Sequence, residues 1–282
     1  MKLAFQGELG AYSHLAALEL FSKSEIKTCT TFEDCFKLGS NNSDYKIIIP
    51  IENSLAGRVA DIQYLIPKYK LQIYSEYFHP VNHHLLGLKG AKLSDIKTVR
   101  SHSQAISQCQ KIIKKNNLKP IIAADTAGSA KYVSKNKNIY DSAIASSLSA
   151  KIYDLDIVVS NIEDETGNVT RFLIMGKNTH HPELSNKKYI TSCIFRVKSK
   201  PAALYKCLGG FATNSVNLSK LESFSAKNSF DQFNFFIDIE GHIEETPVQK
   251  SLEELGFHTE SLDILGVYEA DKFRFKKKNN IS

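Results

Sequence analysis

The chain has 282 residues, 42% of them apolar, which is enough for a sizeable core and for two domains. Its net charge of +6 is lysine-heavy, spread without a basic stripe and partly collected in the tail Lys272-Phe273-Arg274-Phe275-Lys276-Lys277-Lys278, which argues against a nucleic-acid partner. The five cysteines have no paired spacing for disulfides or zinc, Lys2 runs straight into Leu3-Ala4-Phe5 without a signal peptide, and no run of about 18 apolar residues occurs, so a soluble, cytoplasmic protein with no membrane contact is expected.

In chain order, Lys2 to Phe5 reads as a buried strand that runs into Gln6-Gly7-Glu8-Leu9-Gly10-Ala11-Tyr12-Ser13 and then a helix carrying Leu15, Ala16, Leu18 and Phe21. A strand, a glycine-bearing loop and a helix start can build an anion site from backbone amides. Thr31 with Asp34 is read as a cap opening a helix to Leu38. Lys46 to Ile51 is a second buried strand, ending in the polar stretch Glu52-Asn53-Ser54-Leu55-Ala56-Gly57-Arg58-Val59, which is read as a loop entering a helix. At that place Glu52 is either a helix cap or a site carboxylate.

Leu71 to Tyr77 makes the next strand, which His79-Pro80-Val81 is expected to break. His79, His83 and His84 do not converge on one point from an extended segment, so a metal site is rejected. Ile96 to Val99 leads through Arg100-Ser101-His102-Ser103-Gln104 into one helix with Ile106, Cys109, Ile112 and Ile113 on a face and Gln108 one turn beyond Gln104. Ile121 to Ala124 leads likewise into Asp125-Thr126-Ala127, and Ala143-Ile144-Ala145 into Ser146-Ser147. Repeated strand, loop and helix units predict an α/β fold with mainly parallel sheets and a site at the strands' carboxyl ends.

Asn161 to Phe172 packs three carboxylates, two amides, two hydroxyls and an arginine between the apolar runs Ile157-Val158-Val159 and Phe172-Leu173-Ile174-Met175. A polar loop held by two buried strands presents Asn168, Thr170 and Arg171 with little freedom to lose, although an ordinary self-satisfied turn has the same composition. After Gly176 a polar linker precedes a second domain: strand 190–197, helix 203–212, strand 216–223, strand 232–240, helix 248–255, strand 261–267. In the fourth of these elements Phe236 interrupts the alternation of Phe233, Phe235 and Ile237 with polar residues, which hints at a second sheet from an oligomeric partner.

Five motifs occur in register: Phe5-Gln6-Gly7-x-x-Gly10-Ala11-Tyr12-Ser13, Pro50-Ile51-Glu52-Asn53-Ser54-x-x-Gly57, Ser103-Gln104-Ala105-x-x-Gln108-Cys109, Asp125-Thr126-Ala127 and Asn168-x-Thr170-Arg171-Phe172. Together they resemble prephenate dehydratase. The C-terminal part, with Ala203-Leu204, Asn217 to Ser223 and Phe236 to His242, resembles that family's ACT regulatory domain. The resemblance covers nearly the whole chain and implies a bilobal catalytic domain like periplasmic binding proteins over 1–178, crossing between lobes near 79–80 and 159–160. A linker at 179–188, a βαββαβ ferredoxin-like ACT domain at 189–270 and a basic tail at 271–282 complete the expected division.

The same resemblance assigns Thr170 as the catalytic hydroxyl, with Glu52, Asn53, Ser101 and Gln108 beside it and Tyr12, Ser13, Ser54, Thr126, Asn168 and Arg171 binding substrate. The reaction it implies is loss of carbon dioxide and the ring hydroxyl from prephenate, leaving phenylpyruvate, with no cofactor and no metal. A threonine hydroxyl is too weak an acid to act freely, so Thr170 must donate a hydrogen bond or relay a proton, with Glu52 as a possible support. Arogenate dehydration, a non-catalytic amino-acid sensor and a simple anion-binding protein are the rival readings; the absent export signal counts against the last, and the intact Thr170 and Glu52 against the sensor.

In the ACT domain the resemblance places regulation at Ala202, Ala203, Leu204, Asn217, Leu218, Glu222 and Ser223, with phenylalanine bound between subunits of a homodimer or homotetramer. The family's usual Gly-Ala-Leu and Glu-Ser-Arg-Pro read here Ala202-Ala203-Leu204 and Glu222-Ser223-Phe224-Ser225. A methyl where backbone must approach a ligand, and a phenylalanine where a cation is usual, predict a weak response to the amino-acid effector.

Overall fold

The computed structural model describes residues 2–59, 62–177, 181–198, 200–226 and 232–276. Linker residues 179 and 180 and tail residues 277–282 lie outside the described residues. The elements in order are β1 (Lys2–Gln6), α1 (Tyr12–Leu20), β2 (Glu25–Cys29), α2 (Phe32–Asn41), β3 (Tyr45–Asn53), β4 (Gly57–Arg58), α3 (Ile62–Tyr69), β5 (Gln72–Pro80), β6 (His84–Gly87) and β7 (Thr98–His102). There follow α4 (Ser103–Gln108), α5 (Gln110–Lys115), β8 (Lys119–Ala123), α6 (Thr126–Asn136), β9 (Asp141–Ala145), α7 (Ser147–Ile152), β10 (Asp156–Val159) and β11 (Val169–Gly176). The C-terminal part comprises β12 (Tyr189–Val197), α8 (Ala203–Thr213), β13 (Leu218–Ser225), β14 (Phe233–Glu240), α9 (Thr246–His258), β15 (Thr259–Glu269) and α10 (Phe273–Lys276).

Among the described residues the strands form three sheets. One is six-stranded in the order β2-β1-β3-β11-β5 with β4 paired to β3, one is five-stranded in the order β10-β6-β9-β7-β8, and one is four-stranded in the order β13-β14-β12-β15. The apolar runs are the central strands: Leu3 to Phe5 and Ile47 to Ile49 are fully buried, as strands covered on both faces must be. The second sheet is mixed rather than mainly parallel. β7 runs parallel to β8 and β9, but β6 is antiparallel to β9 and β10. β5 and β11 lie in the first sheet and β6 and β10 in the second, so the chain changes sheet between Pro80 and His84 and between Val159 and Val169.

Several sequence expectations need correction. The strand expected to break at His79 continues as β5 to Pro80, where proline's missing N–H is tolerated at the strand end. Glu52 does not cap a helix, because β3 extends through Asn53 and turns back into β4, and α3 begins only at Ile62. The helix expected across Cys109 is broken there into α4 and α5. The cause is distant in sequence: the Asp164 carboxylate accepts from Gln110 N and Lys111 N at 2.8 and 2.9 Å, and Asp164 N donates to Gln108 O at 2.7 Å. A carboxylate that satisfies the first N–H groups of α5 replaces the backbone bonds a continuous helix would make.

By packing, the chain divides into two compact units, one made of Met1–Cys35, Ile48–Val59 and Phe78–Phe172 and the other of Phe36–Ile47, Ala60–Tyr77 and Leu173–Ser282. Within the second unit the four-stranded sheet has the βαββαβ order with its fourth strand beside the first, a ferredoxin-like arrangement. Phe235, Ile237 and Ile239 of β14 face α8 and α9, where they pack with Phe211, Val248 and Leu255. The opposite face meets residues of the same chain. There Gln63 of α3 donates to Glu222 at 2.5 Å, Tyr64 meets the Phe224 ring edge to face at 5.6 Å, and a Cβ on Gly266 would collide with the Ile73 carbonyl oxygen. Only glycine permits that approach of β15 to β5.

The tail is not merely basic. Arg274 of α10 grips the fully buried Glu76 carboxylate through two bonds of 2.6 and 2.7 Å and lies 3.5 Å from the fully buried Asp238. Asp238 also accepts from Ser192, whose hydroxyl meets Tyr268 at 2.8 Å. A bidentate guanidinium between two buried acids is the usual way such charges are kept ionised.

Candidate active site

The expected catalytic and substrate-binding residues lie in the first unit, and most of them gather where the end of β3 and the start of β11 meet the loop before β11, the end of α4 and the start of α1. Asn53, the last residue of β3, anchors the arrangement. Its Oδ1 accepts from Leu55 N and Ala56 N at 3.0 and 2.9 Å, and its Nδ2 donates to Asn168 Oδ1 at 2.7 Å and to Thr170 Oγ1 at 2.9 Å. Asn168 Nδ2 donates in turn to Gln108 Oε1 at 3.0 Å. Ser54 fastens the loop to β3: its N donates to Val169 O and its Oγ accepts from Val169 N, both at 2.9 Å. Val81 N donates to Asn168 O at 2.8 Å, so both ends of the Asn168 residue are held.

The break at Cys109 explains how Gln108 reaches this cluster. The loop that carries Asn168 and leads into β11 just before Thr170 also carries Asp164, which terminates α4 at Gln108. One loop thus supplies a site residue, leads directly to a second and fixes the end of the helix that supplies a third. Strand alternation puts Thr170 and Arg171 on opposite faces of β11. Arg171, 1% exposed, pairs with Glu52 at 3.2 Å and lies over the Phe78 ring at 5.9 Å. The Thr170 hydroxyl is held by Asn53, while Glu52 holds Arg171.

Sequence reasoning missed His83. Its Nε2 lies 2.9 Å from Gln108 Oε1, its Nδ1 lies 2.8 Å from the Tyr12 hydroxyl, and its backbone N donates to Glu163 at 2.9 Å. Tyr12 OH is also 2.8 Å from Asn82 O. Burial lowers the His83 pKa, against the opposing pull of Gln108 and Glu163. Burial also pushes the Tyr12 phenol well above its ordinary value, with the Cys109 thiol and Glu163 adding to the effect. His79 and His84 have different partners, Glu19 at 3.1 Å and Asn161 N at 3.3 Å. Histidine at 83 gave no signal of its own in the sequence; its place beside the expected Gln108 and Tyr12 emerges only from the fold.

Other expected residues stand apart. Ser101 is fully buried and donates to Ile144 O at 2.7 Å, tying β7 to β9. Ser13 is buried in the first turn of α1. Thr126 opens α6 behind its cap Asp125 and shares no hydrogen bond with the Asn53 cluster among the described residues. Glycine is required at Gly10, where φ is +93° and a Cβ would meet Ser149 Oγ at 2.6 Å. There Ser146 and Ser149 both donate to Gly10 O, at 2.6 and 3.0 Å, clamping the loop before Tyr12.

A two-sheet α/β body with an amide and hydroxyl cluster at its strand ends, followed by a ferredoxin-like domain, defines a class of small-molecule enzyme with an appended domain. The prephenate dehydratase family pattern matches residues 3–180, and the chain belongs to that family. It is 40% identical, over 97% of its length and 98% of the relative's, to a bifunctional N-acyl-homoserine lactone acylase/prephenate dehydratase of Komagataeibacter europaeus. It is 37% identical to arogenate dehydratase/prephenate dehydratase 1, chloroplastic, of Arabidopsis thaliana, over 97% of this chain and 73% of that one. The crystal structure of a prephenate dehydratase in complex with L-Phe from Arthrobacter aurescens superposes with a TM-score of 0.88 at 26% identity, covering 96% of this chain and 90% of that one.

Proposed function

We propose that this chain is a lyase that converts prephenate to phenylpyruvate, carbon dioxide and water. In the step, the bond from the ring to its carboxylate breaks, the electron pair moves through the ring, and the ring carbon releases its hydroxyl. One proton is taken up and the hydroxyl leaves as water. Aromatisation drives the reaction, so the protein's tasks are to hold the dianion and to assist the departing hydroxyl. The observation that carries this reading is the Thr170 hydroxyl: Asn53 Nδ2 occupies its oxygen at 2.9 Å, leaving its proton to be donated. Glu52 and Arg171 act as a support beneath the strand ends. Incubating the purified protein with prephenate should give phenylpyruvate by its absorbance. Arogenate and an N-acyl-homoserine lactone offered in parallel distinguish the other activities in the names of its relatives, and no phenylpyruvate from prephenate would sink the reading.

The C-terminal four-stranded domain is read as an ACT domain over 189–270, after a catalytic domain of 1–178, and as the place of subunit association and of an amino-acid effector. Ala202 supports the expectation of weak regulation. It caps α8 with φ 59° and ψ 20°, the left-handed region, at the rim of a cavity of about 440 Å³ that also touches Ala203 and Leu204. Alanine there is strained by roughly 1 kcal/mol, and glycine is not. Phe224, where a cation is usual in the family, is buried against Tyr64, and Glu222 is engaged by Gln63 and Lys220. Leu218 and Ser223 pair with Ile239 and Phe235 of β14, and Asn217 O accepts from Glu240 N at 2.9 Å. Calorimetric titration should find feeble phenylalanine binding in the parent. Ala202→Gly should melt higher by about 1 kcal/mol of stability and bind phenylalanine more tightly, and micromolar binding by the parent would refute this account.

A further inference from the structure

The direction of every hydrogen bond in the cluster follows from two backbone groups. Leu55 N–H and Ala56 N–H can only donate, so the Asn53 atom they meet is its oxygen and the other amide atom is its nitrogen. Both protons of that nitrogen are used, one by Asn168 and one by Thr170. Asn168 therefore presents its oxygen to Asn53 and its NH2 to Gln108, and the Gln108 atom that receives it is oxygen. That oxygen lies 2.9 Å from His83 Nε2. Oxygen without a proton can only accept, so Nε2 carries the proton.

We infer that His83 is a positioning residue for the dehydration, held as its Nε2–H tautomer, which pins Gln108 and through Asn168 and Asn53 sets the orientation of the Thr170 hydroxyl. With the proton on Nδ1 instead, the ring would offer Gln108 a lone pair, the Gln108 amide would turn its NH2 to the ring, and Asn168 would face a second NH2. The relay from Asn53 would then have to break or rotate. The Tyr12 hydroxyl lies 2.8 Å from both Nδ1 and the Asn82 carbonyl oxygen, so its single proton has two acceptors, and the tautomer is set by the Gln108 contact. The ring is 3% exposed and its backbone is held by Glu163, so the imidazole has little room to flip. Its burial keeps it neutral near pH 7. This rests on the dehydratase reading for what Thr170 does, though not for the tautomer.

Two measurements test it. In protein labelled with ¹⁵N-histidine, NMR of the parent should show one ring, identified by its loss in His83→Gln, as the neutral Nε2–H tautomer; an Nδ1–H ring at His83 would overturn the inference with or without any turnover. In kinetics on prephenate, glutamine at 83 reaches as far as Nε2 and still donates to Gln108, whereas asparagine reaches only as far as Nδ1. His83→Gln should therefore keep kcat within about threefold, while His83→Asn loses up to about a hundredfold in kcat with KM unchanged. Equal losses in both variants, no loss in either, or a rise in KM alone would each refute the positioning role. If the parent shows no prephenate turnover, the dehydratase reading fails and the tautomer measurement alone decides this one.

Discussion

Thr170→Ala should lower kcat on prephenate by about 10² to 10⁴, the range expected when a positioned proton donor is removed. The loop and strand that carry it are otherwise fixed by Ser54, Val81 and Asp164, so the fold should survive. It should not survive untouched, because Asn53 Nδ2 loses the acceptor for one of its two protons, and an unmet donor in a half-buried place costs about 1 kcal/mol. Thr170→Ser keeps the oxygen and should keep both the Asn53 bond and most of the turnover. Thr170→Val keeps the shape without the oxygen and should behave like alanine. Melting curves and steady-state rates on the three variants separate the roles: a threonine that merely satisfied its own loop would lose stability in Val and Ala with turnover per folded molecule retained.

The largest effect on stability is expected at Arg274. Arg274→Met removes the cation that two fully buried carboxylates share, and breaking a buried pair from one side costs roughly 3 to 5 kcal/mol. Chemical denaturation should show this as a lower midpoint. Adding Glu76→Gln to Arg274→Met should recover part of the loss, because the amide needs no counter-charge. If the single variant denatures like the parent, the tail is an ornament on the surface rather than a clamp within its unit.

The sequence carries much of this, and the exceptions have physical causes. Buried strands announce themselves by apolar runs, and the polar residues at their ends by contrast, which makes Asn53, Asn168 and Thr170 legible; the fold joins them in one hydrogen-bonded cluster. Local pattern puts Gln108 on a helix face, but the helix ends at it because of Asp164, a carboxylate 54 residues beyond Gln110 that no local pattern reveals. Ser101 occupies a strand end like the others yet points inward to Ile144, since alternation assigns a face only once the register is known. The same rule separates Arg171 from Thr170. Phe236 broke the alternation of β14 because both faces of that strand are covered, one by the helices and the other by residues of the same chain. Basic residues near a chain end look like solvated tail, and nothing local announces that Arg274 turns inward to Glu76.

Ala202 has the backbone of a glycine and the side chain of an alanine. Alanine and glycine codons differ at a single middle base. On the reading given above, one nucleotide separates the strained backbone at Ala202 from a relaxed one, while the cation replaced by Phe224 stays missing.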